Sequence, residues 1–183
     1  GDVVLAGAKV SGSVVCTGAR IGGQFAARGG TFNGRDQDSL SLFGAAVEGQ
    51  VFLDEAASFS RTVDLREMTC RSALFLRGST LDGCGRAAVA MEGAAIESDA
   101  YLERAVFKGG LDARRVRFKG RVYAADASFL ACPKAEKTDF DDGGAYSALR
   151  LDAAEIDADV YLTGAKAEGR ISCLGTRFGG SVL

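Results

Sequence analysis

The 183-residue chain contains no histidine, which removes the side chain that most readily exchanges a proton near neutral pH. Ser/His and Cys/His nucleophile pairs go with it. Acid-base chemistry would have to run on carboxylates, as in glycan-cleaving enzymes where two spaced carboxyl groups share the work or hold a cation. The one constellation of that kind is Asp112, Arg114 and Arg117 near Asp64. It is thin, and no catalytic residue is assigned from it. Hexapeptide-type acyltransferases, another solenoid class, are disfavoured by the same missing histidine.

Binding chemistry is better represented. Between residues 108 and 121 stand Lys108, Arg114, Arg115, Arg117, Lys119 and Arg121, opposed within the run only by Asp112. Such a run could hold a phosphate, an anionic lipid or an acidic polysaccharide. Acidic residues downstream, Asp126, Asp152, Glu155, Asp157 and Asp159, offer the simpler fate of cross-strand pairing. Residues 134–143 carry Lys134, Glu136, Lys137, Asp139, Asp141, Asp142 and Gly143. Carboxylates before a glycine suit calcium, but the full D-x-D-x-D-G spacing is missing, so a solvated loop is expected, with no metal and no cofactor. Glycine-rich stretches such as GARIGG (18–23) lack the Lys-Ser/Thr of a phosphate loop. Five cysteines without CxxC spacing indicate neither a disulfide framework nor a zinc knuckle. A reducing, cytoplasmic setting fits that usage.

What must position these residues is a repeat. Lines of eleven align GAKVSGSVVCT (7–17), GARIGGQFAAR (18–28), GAAVEGQVFLD (44–54), GAAIESDAYLE (93–103) and AAEIDADVYLT (153–163). Position 2 is small, position 4 is apolar, position 6 is often glycine, and positions 8 and 10 are apolar. Alternation at period two on either side of position 6 predicts two short strands per unit with a bend between them. One unit has no core of its own. Stacking units about 4.7–4.9 Å apart creates it, which predicts an all-β, right-handed parallel β-helix filling residues 1–183 as a single domain. Cys16, Cys70 and Cys173 fall at inward positions, whereas Cys84 and Cys132 sit just after a bend and read as free thiols.

Extra segments at about 35–43, 84–92 and 131–147 interrupt the repeat every fourth unit, so a coil holds one, two or four units if all leave from one side. Position 9 decides between these. It points outward, and it is aromatic at Phe52, Phe75, Tyr101, Tyr123 and Tyr161 but not in the alternate units, which carry Ser41, Asp64, Ala90, Asp112, Arg150 and Ser172. Two eleven-residue units therefore make a coil of about 22 residues, and the aromatics stack as one outward ladder.

The layout resembles the pentapeptide-repeat superfamily, in which a small residue two before a central Leu or Phe recurs around a right-handed, four-sided coil. Here the central residues Leu65, Cys70, Leu76 and Leu81 are spaced alternately by five and six. Segments such as GARIGGQF (18–25) and AAEIDADVYL (153–162) are also similar to those of uncharacterised bacterial repeat proteins rich in GARIGGQL-type units. The resemblance implies the fold and carries no catalytic residues. Gly1 falls at position 6 of a unit and Leu183 at position 9, which reads as part of a longer repeat array.

The expected function is a non-catalytic structural or binding scaffold, meeting a protein partner or another copy through an outer face, with the aromatic ladder as the interaction surface. The alternative is a polysaccharide-binding or polysaccharide-acting β-helix. Nucleic-acid mimicry, which the pentapeptide resemblance brings in, needs a strongly negative surface that a net charge of −2 does not supply. Small-molecule ligands, nucleic acid and direct membrane contact are not expected, the last in line with the lack of a long apolar run.

Overall fold

The computed structural model describes residues 1–131 and 147–183, which form an all-β parallel solenoid of 28 short strands in four seven-stranded sheets. The chain visits the sheets in a fixed order, and we label them A to D accordingly. Val3–Val4 opens sheet A, Lys9–Ser11 sheet B, Val14–Val15 sheet C and Arg20–Ile21 sheet D, after which Phe25–Ala26 returns to A. The coil is therefore four-sided, each eleven-residue unit supplying two sides. Among the described residues there is no helix.

Two kinds of corner make the square. At position 1 the backbone turns into the left-handed region, with φ of +66° at Gly7, +65° at Gly18, +62° at Gly44 and +68° at Gly93. The N–H of position 2 closes each turn onto the carbonyl of position 10, as from Ala45 to Leu42 at 2.9 Å and Ala94 to Met91 at 3.0 Å. A four-residue turn with positive φ at its third place asks for glycine there. Glu67, Arg104, Arg115, Asp126 and Ala153 adopt the same conformation without being glycine, as does Ala56, which follows an extra left-handed residue, Glu55, in the turn that Ala57 closes onto Asp54. The following alanine is small because it points into the corner: Ala57, Ala105, Ala127 and Ala154 are fully buried.

Undisturbed coils stack 22 residues apart, as Lys9 on Thr31 and Val106 on Ser128. Inward side chains then form continuous ladders. In sheet B the rings of Phe32 and Phe59 stack at 4.9 Å, and those of Phe107 and Phe129 at 5.1 Å, with Leu81 between the two pairs. Cys70 lies in this core, where burial pushes its thiol up. Cys16 is half-buried, and Cys173 and the neighbouring Ile171 are exposed.

All three extra segments leave from the corner between sheets B and C, and the register divides them. Val14 pairs with Leu40, and Val63 with Val89, each 26 residues on. The extra chain is thus four residues long in each, and the rest of 35–43 and 84–92 re-enters the coil: Leu40–Ser41 and Val89–Ala90 are strands of sheet C. The two loops share one construction. Asn33 accepts the N–H of Arg35 at 3.1 Å, and Asp82 accepts that of Cys84 at 2.8 Å. Arg35 and Cys84 are both left-handed. A Cβ on the glycine between would stand 2.2 Å from the Gln37 carbonyl oxygen at Gly34, and 2.1 Å from that of Arg86 at Gly83. An Asx-Gly pair is thus what the loop demands. The third segment, with its candidate calcium loop and Cys132, lies outside the described residues apart from its two ends.

Candidate functional site

Two outer faces concentrate chemistry. On sheet A the predicted ladder forms: Phe52, Phe75, Tyr101, Tyr123 and Tyr161 stack with centroids 4.7 to 5.1 Å apart and planes within 20°. Each ring is half-buried. Ring faces are spent on one another, so what remains at the surface is a line of ring edges and hydroxyls. Below Phe52 the column continues with Ala26 and then the exposed Val4, and the Arg28 guanidinium fills the space over Ala26, 3.5 Å from the Phe52 centroid. Arg77 lies over Tyr101 at 4.4 Å. Loss of solvent, followed by the hydrogen bond to Asp99, pushes the Tyr101 phenol up, and Asp159 is a second such neighbour for Tyr161.

Along one side of the ladder the charges alternate in sign: Arg28, Asp54, Arg77, Glu103. Arg28 Nε stands 3.3 Å from Asp54 and Arg77 Nε 3.6 Å from Glu103, yet neither contact has hydrogen-bond geometry. Among the described residues, the buried side-chain nitrogens and oxygens without a hydrogen-bond partner are one atom from each of these four. Burial raises the Asp54 carboxyl above its ordinary range, and Arg28 only partly offsets that.

The basic run does not gather on one face. Lys108 lies in sheet B beside Asp82, Arg117 and Lys119 lie in or just beyond sheet D, and Arg121 precedes sheet A. Arg114 is bound to Asp112 at 2.9 Å and Glu92 at 3.3 Å, Arg115 to Glu92 at 2.7 Å, Arg117 to Glu155 at 3.4 Å, and Lys119 to Glu97. Arg121 Nε is 3.9 Å from Asp159. Apart from Arg114–Asp112, which lies within one coil, these are cross-coil pairs of the kind that satisfy an outer ladder.

The carboxylate constellation is partly assembled. Asp64 and Asp112 occupy the outward column of sheet C with Ala90 between them. Each is chelated by the arginine two residues on, Arg66 at 2.8 Å to both oxygens and Arg114 at 2.9 Å to both. Arg117 is on the next face and takes no part. Three residues that sequence reasoning did not single out complete the place: Asp38 from the first loop, Arg86 from the second, and Thr62 from the bare corner between them. Together they line a concavity of about 130 Å³ floored by Ala87 and Ala90. Desolvation, then the charge of Asp64, raises the Asp38 carboxyl, while Arg86 and Arg66 pull it back. The signal was available: two Asx-Gly loops two coils apart must straddle an uninserted corner.

Cys84 is an exposed free thiol. Among the described residues no group of three or more His, Cys, Asp or Glu is placed to hold a metal ion, and no helix is long and apolar enough to cross a membrane. Compared with known proteins, the chain matches no family model and no curated sequence.

Proposed function

We propose that the chain is a non-catalytic scaffold that associates with a second copy of itself through the outer face of sheet A. The observation that carries this reading is the charge order beside the ladder. A two-fold axis along the strand direction, set between the Phe52 and Phe75 rungs, reverses the column Arg28, Asp54, Arg77, Glu103 onto itself. Arg28 then meets Glu103 of the second copy, and Asp54 meets Arg77, so every encounter is between opposite charges. The opposite flank, Gln24, Gln50, Ala73 and Asp99, brings no like charges together under the same operation. Self-complementarity of this kind is what an isologous contact requires.

The rest of the face suits the role. Tyrosine and arginine contribute much of the energy of protein interfaces, and a stack already ordered loses little freedom on docking. Arg28 also reaches Glu55 at 3.5 Å, while the imperfect Arg77 pair leaves that guanidinium capacity for a further carboxylate. Sedimentation velocity from 1 to 300 µM tests the reading. A monomer-dimer equilibrium is expected, weakened at least tenfold by Glu103→Arg and by Tyr101→Ser/Tyr123→Ser, with unchanged circular dichroism. A wild-type monomer throughout, or a dimer indifferent to both variants, overturns it.

A further inference from the structure

We infer that the notch between the first two loops on sheet C binds one sugar unit of a neutral, hydroxyl-rich glycan whose chain lies along that face. The site owes its shape to the exceptions in the repeat. The loop carrying Asp38 and the loop carrying Arg86 rise from the same corner two coils apart, and the coil between them turns at Thr62 without an insertion. Ala90 stands in the outward column where its neighbours on either side are Asp64 and Asp112, so the floor is low where a ligand would sit.

The polar groups favour hydroxyls over ions. Asp64 and Asp112 are neutralised by Arg66 and Arg114 and stay fixed as acceptors. Asp38 and Arg86 attract each other across the notch without forming an ion pair. One therefore offers acceptors and the other donors across a gap. A ligand with only one sign of charge would be repelled by one of them; a hydroxyl both donates and accepts, and satisfies both. At the roughly 30 Å³ that one water occupies, the concavity of about 130 Å³ has room for about four waters, enough for the hydroxyl-bearing edge of one sugar unit.

Ala87 and Ala90 supply the apolar floor, and Phe43 flanks the notch behind Arg66. It is 39% exposed, next to Arg66 on the same face, with the guanidinium 5.3 Å from its centroid. Unlike the rings of sheet A it is not stacked on another ring among the described residues; the Arg66 side chain, which lines the notch, lies over it.

The test is a titration of the whole isotope-labelled chain with neutral gluco-, xylo- and manno-hexaoses, monitored by amide NMR, with glycine and inorganic phosphate as separate probes. Shifts confined to residues around Asp38, Thr62, Arg86 and Ala90 are expected for at least one hexaose. Affinity should fall tenfold or more in Arg86→Ala, and be kept in Tyr101→Ser/Tyr123→Ser, which separates this site from the sheet A contact. If Arg86→Ala unfolds the chain, Ala90→Leu, which fills the notch, gives the same reading. No hexaose shift at 10 mM, shifts elsewhere, or glycine or phosphate producing the same shifts overturns the proposal.

Discussion

Asp38 is, with Asp54, a carboxylate whose ionisation this fold resists. Burial and the neighbouring Asp64 raise its pKa above the ordinary 3.8, so the folded chain holds that proton more tightly than the unfolded chain does. Stability contributed by this group therefore falls as pH rises from about 3.8 through the raised value, and the penalty is absent below it. Asp38→Asn should unfold at higher urea than the wild type at pH 7, with the gap closing as pH is brought below 3.8. A variant less stable at pH 7, or a gap independent of pH, would contradict this. Residue identities gave little warning of Asp38. The residues that stood out by type, Asp112 and Arg114, are chelated to each other. Arg117 stood beside them in the chain but turns onto another sheet, because one corner separates position 11 of one unit from position 3 of the next.

The corner turn is the element that repeats most faithfully, and it sets where side chains go. Its left-handed residue explains the regular glycines, and the arithmetic of the turn explains why two units close a coil. Where the residue is not glycine, the conformation costs about 1–2 kcal/mol, of which glycine's extra unfolded-state freedom returns about 0.5–1. Arg104, at φ +58°, is such a place. Arg104→Gly should raise stability by about 0.5–1 kcal/mol in urea unfolding, and a loss of stability would show that its side chain has a role the turn does not explain. The outward aromatic ladder was legible from alternation at position 9. The extent of the loops was not: 35–43 and 84–92 look like continuous insertions in an eleven-residue alignment, but their second halves keep the inward residues Leu40, Leu42, Val89 and Met91 buried as core. A loop can be lengthened by four residues without disturbing the apolar spacing on either side of it, so the break in the alignment spreads wider than the break in the fold.

At the scale of the whole molecule, stacking converts local choices into lines. A residue type that recurs once per coil becomes a ladder, and an order of charges along that ladder becomes a pattern another molecule can read. The four sheets, the parallel pairing and the interior were all implied by the repeat, because only a stacked coil can bury residues alternating so regularly over so short a period. The self-complementary column of Arg28, Asp54, Arg77 and Glu103 was not, since those residues are 23 to 26 apart in sequence and become neighbours only after the coil closes. Amide hydrogen exchange at 1 and 300 µM tests the proposed association most directly. Protection is expected to rise with concentration in the peptides covering Val51–Phe52, Leu74–Phe75 and Ala100–Tyr101, with sheets B, C and D unchanged; exchange independent of concentration, or protection gained on another face, would contradict the association.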